Sequence, residues 1–137
     1  MTNEQGTRIM SFINEQMHMT GTKAYFPDSN DNGDIDFFCD METYNWFMSE
    51  LKTCDVDVNK LTPSEYFIGV YIDLYKARYN VFVVPDDAYE SWVYATHAVK
   101  DLVLHSAHIG AILKRDKRKR VATFVQLRGM YYGLDGY

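Results

Sequence analysis

The chain has 137 residues, of which 47% are apolar and 15% aromatic, and this composition predicts one globular domain over residues 1–137 and excludes a disordered chain. The formal net charge of −5 argues against a protein that coats nucleic acid over its whole surface. No apolar run approaches the length of a bilayer span, and residues 1–16 lack the pattern of a secretory signal. We therefore expect a soluble cytoplasmic protein without a membrane partner.

The cysteines and histidines predict neither disulfides nor a zinc site. Cys39 and Cys54 are too few for a disulfide framework, and Cys39 lies in an apolar run where a reduced thiol behaves as a small hydrophobe. His97, His105 and His108 fall on one predicted helix, with no second Cys or His at ligand spacing. We expect these histidines to be exposed or to cap helix ends.

The first elements are predicted to be a helix, a short strand and a tight turn. Ile9, Phe12 and Ile13 recur at helical spacing, which predicts an amphipathic helix over residues 2–16. Residues 17–20 form a brief strand that leads to Gly21 and Thr22, and residues 23–26 form one helical turn. The small-residue turn would allow backbone N–H groups to approach a phosphate closely.

An aspartate pair follows this turn in an apolar run. If residues 34–39 form a strand, its period of two places Asp34 and Asp36 on one face while Ile35 and Phe37 point into a core. Two carboxylates on one rigid strand can share Mg²⁺, which prefers oxygen ligands and often also binds substrate phosphates. The turn and the pair together predict a nucleoside triphosphate bound through its phosphates.

Two other interpretations of this stretch remain open from the sequence. Residues 28–34 are turn formers, so Asp34 and Asp36 could flank a surface hairpin loop. A calcium loop is the other interpretation, since Asp28, Asn30, Asn32, Gly33 and Ile35 match an EF-hand pattern. Against calcium, Cys39 stands where a bidentate Glu is needed, and Pro27 interrupts the incoming helix.

The second half of the chain predicts further elements of both kinds. Asp40 is a good N-cap for a helix with Tyr44, Phe47, Met48 and Leu51 inward, and a polar connection covers residues 54–63. Alternation over residues 66–74 favours a strand over a helix, and a second strand runs over residues 79–84. A helix from residue 86 to about residue 105 follows, Gly110 breaks the chain, and a last helix starts near Asp116.

These elements predict an α+β fold: a small mixed sheet of about four strands covered by helices, with a helical C-terminal part. In the last helix Val121, Phe124 and Val125 are predicted to point inward and Lys117, Arg118 and Arg120 to be exposed. Residues 131–137 are predicted to be loose.

The run from Gly21-Thr22 to Asp34-Ile35-Asp36-Phe37 resembles the signature of the DNA polymerase beta type nucleotidyltransferase superfamily, a Gly-Ser or Gly-Gly turn followed by an Asp-x-Asp strand. It is most similar to the small stand-alone versions encoded by tailed phages. The resemblance implies a minimal nucleotidyltransferase fold in the host cytoplasm, with Asp34 and Asp36 as catalytic metal ligands for Mg²⁺. It also implies that Gly21, Thr22 and Lys23 bind the nucleotide, although an exposed lysine is the simpler interpretation of Lys23.

One position departs from the family pattern. Members that transfer nucleotides place a third carboxylate on a later strand, and the strand over residues 79–84 supplies Asn80 there. Asparagine can coordinate a metal or orient a hydroxyl, but it cannot take a proton at neutral pH. Asp73 and Asp86 are substitutes by position, though a solvent-facing strand residue and a helix cap are the simpler interpretations of the two.

The resemblance therefore implies a Mg²⁺-dependent nucleotidyltransferase that transfers a nucleoside monophosphate from a nucleoside triphosphate to an RNA or protein acceptor. The alternative is an impaired nucleotidyltransferase fold that binds and modulates a host protein or nucleic acid. Residues 114–120 carry six bases and one acid, and they could contact the triphosphate, an RNA acceptor or an acidic protein, or form a solvated helix face. The acceptor and the oligomeric state are open.

Overall fold

The computed structural model describes residues 1–29, 33–61 and 68–135, with side chains up to residue 133. The elements in chain order are α1 (Asn3–Gln16), β1 (His18–Thr20), α2 (Gly21–Tyr25), β2 (Ile35–Cys39), α3 (Met41–Leu51), β3 (Asn59–Lys60), β4 (Gly69–Leu74), β5 (Ala77–Val83), α4 (Asp86–His105), α5 (Ala107–Arg115) and α6 (Lys117–Asp135). The predicted α+β class with a helical C-terminal part is confirmed. Within the described ranges, no helix is long and apolar enough to cross a membrane.

The five strands form one mixed sheet in the order β1-β2-β5-β4-β3. Strands β2 and β5 are parallel, and the other neighbours are antiparallel. The register pairs Thr20 of β1 with Asp36 of β2, and Asp36 with Asn80 of β5. Because paired residues point to the same face of a sheet, this register forms a row of three polar side chains across the strands.

One face of the sheet carries the main core against α1 and α3. Strand β5 alternates as predicted for a period of two, with Tyr79, Val81 and Val83 buried on this face. Ile13 of α1 and Phe47 of α3 are fully buried against these strands. The apolar faces of both helices therefore pack on the sheet.

The other face is covered in part by α4. Trp92 of α4 packs on Phe38 of β2 and Phe82 of β5, with ring centroids 5.6 Å away in both cases. Helix α4 then packs on α5 and α6, and a second small core joins α2, α4 and α5 through Ala24, Tyr25, Phe26, Val99 and Leu113. The row that contains Asp36 and Asn80 lies at the edge of this helical layer.

Side-chain caps begin four of the described helices, α1, α3, α5 and α6. Thr2 and Gln5 form a capping box at α1, and Asp40 accepts a hydrogen bond of 2.8 Å from the Thr43 N–H at α3, as predicted for that residue. Ser106 accepts from the Ile109 N–H and begins α5. Asp86, in contrast, lies in the first turn of α4 after Pro85 and makes no capping bond, so its predicted role as a cap was wrong.

Several predictions for the C-terminal half were wrong. The chain breaks at Ser106 and not at Gly110, which lies inside α5; His108 is therefore on a different helix from His97 and His105. The tail predicted to be loose is helical to residue 135. Val121 and Val125 are more than half exposed rather than inward, Phe124 is half-buried, and Arg120 is half-buried rather than exposed.

The sheet also differs in detail from the prediction. The connection over residues 54–63 contains the two-residue strand β3, which makes the sheet five-stranded. Strand β4 begins at Gly69, so Ile68 precedes it and is 55% exposed, while Tyr66 lies outside the described residues. Asp34 immediately precedes β2, which begins at Ile35.

Candidate functional site

Asp34, Asp36 and Asn80 form one hydrogen-bonded group. The Asn80 side-chain nitrogen Nδ2 donates to Asp34 Oδ2 at 3.0 Å and to Asp36 Oδ1 at 2.9 Å. The parallel register of β2 and β5 produces this contact, because it sets Asn80 directly beside Asp36. Asp36 is half-buried and Asp34 is exposed. The two carboxylates therefore lie on the same side of the sheet and within reach of one atom.

The remaining polar atom of Asn80 makes this group a candidate cation site. Asn80 Oδ1 is buried and has no hydrogen-bond partner among the described residues, which costs about 1–3 kcal/mol in a folded protein. A half-turn of the amide would exchange Oδ1 with Nδ2 and present three oxygens to one point. Three hard oxygen donors suit Mg²⁺. The residues present therefore fit this ion, although the described residues contain no group of three His, Cys, Asp or Glu side chains that could hold a metal.

The bend at Gly21 packs directly against Asp36. Gly21 has φ of +74°, in the left-handed region that favours glycine. A Cβ atom at this position would lie 2.6 Å from Asp36 Oδ2. Since any side chain would displace the carboxylate, the bend and the acid form one structural unit. Gly21 and Asp36 are thus adjacent in space although they are fifteen positions apart in the chain.

A cleft of about 280 Å³ opens beside this unit. Its lining residues are Thr20, Gly21, Thr22, Tyr25, Asp36, Phe82, Trp92, Lys117, Arg120, Val121 and Phe124. The bend, Asp36 and the two bases of α6 form the polar part, and aromatic rings form an apolar wall. Such a cleft can hold a ligand that has an anionic part and a flat apolar part.

Lys117 and Arg120 of α6 line the cleft, whereas the sequence left several partners open for these bases. They belong to the basic run over residues 114–120, which is conspicuous in the sequence. The run by itself does not show which bases face the cleft, because the position of α6 is set by its packing on α4 and α5. Lys117 is exposed and close enough to Asp36 to stabilise its charge.

The Lys23 side chain contacts the loop that follows α2. Its ammonium donates to the Ser29 carbonyl at 2.9 Å and approaches the Ser29 hydroxyl at 3.4 Å. Thr22 lines the cleft, while the Lys23 side chain is engaged with the loop that follows α2. The contact ties α2 to the start of the connection toward Asp34.

The environment of the Asp36 carboxyl combines burial with neighbouring charges of both signs. Burial raises the pKa of the Asp36 carboxyl, and the neighbouring Asp34 charge raises it further. The Asn80 hydrogen bond and the Lys117 charge act in the opposite direction. A divalent cation at this point would stabilise the ionised form of both acids.

The other candidate acids are engaged elsewhere. Asp73 forms an ion pair with Arg78, with Nε 2.9 Å from Oδ1, and its side chain is 61% exposed, as expected for a solvent-facing strand residue. Arg78 in turn stacks on Tyr71, 4.2 Å from the ring centre. Asp86 lines a separate groove with Met41.

The structure disfavours the calcium interpretation. Asn30 and Asn32 lie outside the described residues, but an EF-hand also needs a helix after the loop, where the chain forms β2. Cys39, in the position of the bidentate Glu, is fully buried, and burial raises the pKa of its thiol to about 12. Cys39 therefore remains a protonated core residue.

The geometry and the motif together carry the functional argument for this chain. Comparison with protein-family models, with curated proteins and with solved structures found no match.

Proposed function

We propose that this protein binds a nucleoside triphosphate in the cleft beside Asp36 and, with Mg²⁺, transfers its nucleoside monophosphate to an acceptor hydroxyl. One observation carries the proposal. A left-handed glycine bend lies in direct contact with Asp36, which lines the cleft and shares one amide donor with Asp34. The motif that resembles nucleotidyltransferases is thus assembled in space, although its halves are eleven residues apart in the chain.

The polar part of the cleft suits a polyphosphate. The Thr22 hydroxyl can supply a neutral donor, and Lys117 supplies a positive charge at the same cleft. Trp92 and Phe124, whose ring centres are 4.8 Å apart, form the apolar wall against which a base can pack. The acids bind no phosphate by themselves, because like charges repel.

A magnesium ion would be held by the Asp34 and Asp36 carboxylates with Asn80 Oδ1, after the amide turns. When bound, the ion supplies positive charge to the triphosphate and to the charge that develops on it during transfer. In the reaction an acceptor oxygen forms a bond to the α-phosphorus as the bond to the pyrophosphate oxygen breaks. The hydroxyl proton passes to solvent, because Asn80 cannot accept it.

Asn80 also favours a second candidate function: nucleotide-dependent binding of a host protein or nucleic acid without efficient transfer. The amide nitrogen of Asn80 donates a hydrogen bond to both acids without a metal. The two carboxylates are therefore held in place even if the protein catalyses no transfer. A general base contributes about 10²–10⁴-fold to rate. A site that lacks one can retain binding while turnover becomes slow.

Thermal unfolding with and without Mg²⁺ tests the binding step for each of the four nucleoside triphosphates. A ligand at a concentration of about 100 times its Kd stabilises the folded state by about 2.7 kcal/mol, which is roughly 10 °C for a domain of this size. We expect a shift that needs both Mg²⁺ and triphosphate. No shift with any triphosphate would refute nucleotide binding at this cleft.

Two variants locate the ligand and separate binding from transfer. Asp36→Asn should abolish the Mg²⁺-dependent shift while the fold persists, because the amide can still accept from Asn80. Asp73→Asn removes one acid from the neighbouring strand, where it pairs with Arg78, and should leave the shift unchanged. Incubation with α-labelled triphosphate, Mg²⁺ and a cell lysate then reports transfer: label on a macromolecule favours the enzyme, and binding without label favours the second function.

A further inference from the structure

The junction of α5 and α6 concentrates positive charge on a chain that is acidic as a whole. Five of its bases are exposed, and we call them the basic junction: Lys114, Arg115, Lys117, Arg118 and Lys119. The chain carries a net charge of −5, so this segment has the opposite sign to the rest of the surface. Charge separation of this kind marks a surface that attracts an anionic partner.

The bases of the junction form no salt bridge within the described part of the chain. The ion pairs found there involve the N-terminus with Asp55 and Arg78 with Asp73. Asp116, the acid inside the junction, accepts from the Lys119 backbone N–H at 3.2 Å and thereby caps α6. The five cations therefore repel one another, and the electrostatic interaction of Lys117 with Asp36 offsets this repulsion only in part.

Helix stability does not explain the position of these bases. Lys117, Arg118 and Lys119 occupy the first turn of α6, where the helix dipole is positive and cations are unfavourable by about 0.3–1 kcal/mol each. Their collection at this end instead adds to the positive potential of the helix terminus. The arrangement costs stability in the free protein, and a bound anion would offset this cost.

Arg120 holds the junction in a defined shape. Its Nη1 donates to the carbonyl oxygens of Leu113 at 2.9 Å and Lys114 at 3.4 Å, at the end of α5. The contact links the last turn of α5 to the first turn of α6. The exposed bases are thus presented on a fixed bend of two helices.

From this geometry we propose that the basic junction binds the phosphate backbone of a single-stranded nucleic acid and leads its end to the cleft beside Asp36. Lys117 belongs to both surfaces, since it lines the cleft and lies at the centre of the junction. The direction of the strand toward the cleft rests on the proposed function, whereas binding at the junction does not. A single strand suits the site because a strand end is narrow enough to approach a cleft of about 280 Å³ that also holds a nucleotide.

Fluorescence anisotropy with a labelled single strand of about 12 nucleotides tests this proposal. Each phosphate contact lowers the slope of log K against log salt by about 0.7 for single strands. If three to five Lys and Arg side chains of the junction each contact one phosphate, the expected slope is about −2 to −3.5. The triple variant Arg115→Gln, Arg118→Gln, Lys119→Gln should make this slope less negative by about 2. It should also weaken binding at least tenfold at low salt.

A matched control removes the same charge elsewhere. Lys52→Gln, Lys60→Gln, Lys76→Gln changes three exposed lysines on the end of α3, on β3 and in the β4–β5 turn. This variant should retain the wild-type affinity and slope, and thermal unfolding should show both triple variants folded. Equal losses in the two variants would overturn the proposal, as would the absence of binding at about 50 mM salt.

Two competitors test the identity of the ligand. A duplex of equal length that competes as strongly as the strand would overturn the choice of a single strand. Polyglutamate of equal charge that competes as strongly would overturn the choice of a nucleic acid. The junction variant keeps Lys117, so it should retain the Mg²⁺-dependent nucleotide shift. Strand binding without any nucleotide shift in the wild type would refute the proposed function and leave the junction supported.

Discussion

Replacement of Gly21 by alanine tests whether the bend and Asp36 form one unit. Gly21 has φ of +74°, and a Cβ atom would lie 2.6 Å from Asp36 Oδ2. The substitution adds a single methyl group and no charge. Its effects on stability and on ligand binding therefore both report on this contact.

The structure allows the magnitude to be worked out. A left-handed backbone costs an L-residue about 1–2 kcal/mol. The Asp36 carboxylate must also move away from the new methyl, and this weakens the hydrogen bond from Asn80 to Asp36 Oδ1, which is worth about 1 kcal/mol. We expect a total destabilisation of about 2–3 kcal/mol, or roughly 6–12 °C in Tm for a domain of this size.

Urea unfolding measures the free energy of unfolding, and melting with Mg²⁺ and triphosphate measures binding in the same variant. Gly129→Ala is the matched control, because a Cβ at Gly129 of α6 meets nothing within 4 Å. There the same change should stabilise the protein by about 0.5–1 kcal/mol, since alanine is the better helix former. Its nucleotide-dependent shift should be that of the wild type.

Two results would refute this reasoning. A Gly21→Ala protein as stable as the wild type would show that the left-handed bend is not needed. A destabilised protein that keeps its full Mg²⁺-dependent shift would show that the bend contributes to the fold but not to nucleotide binding.

Three further predictions concern the acids, the amide and the core. Burial raises the pKa of Asp36 above its ordinary value of 3.8, so the folded state binds more protons than the unfolded state. The free energy of unfolding of the wild type should therefore fall as pH rises from 3.8 through the folded pKa. Urea unfolding against pH should show this loss in the wild type but not in Asp36→Asn. Asn80→Asp removes the shared donor and adds a like charge, so without metal it should lower the free energy of unfolding by about 1–3 kcal/mol. Mg²⁺ should raise the Tm of this variant more than that of the wild type. Equal Mg²⁺ shifts would argue against a metal at this point. Phe47→Ala removes a fully buried ring and should cost about 3–5 kcal/mol in urea unfolding, a value that a loss below 1 kcal/mol would contradict.

Elements with a strong local pattern could be predicted from the sequence. Helices α1 and α3 follow from apolar spacing and a capping residue, and β2 and β5 follow from alternation and β-branched content. The break between α4 and α5 was misplaced, because Ser106 caps α5 through its hydroxyl while Gly110 is tolerated inside a helix. Strand β3 was missed since its two exposed residues carry no alternation and form a strand only by pairing with β4.

The sequence by itself identified the candidate groups of this protein: a glycine bend, two carboxylates, Asn80 on a later strand, and a basic run. These follow from residue identities at short spacing, which local geometry constrains. Only the tertiary structure decided that one Asn80 nitrogen joins both acids, that Gly21 lies against Asp36, and that Lys117 faces the same cleft. These contacts join residues up to about a hundred positions apart, and their distances depend on strand register and on the packing of α6, which no local pattern encodes.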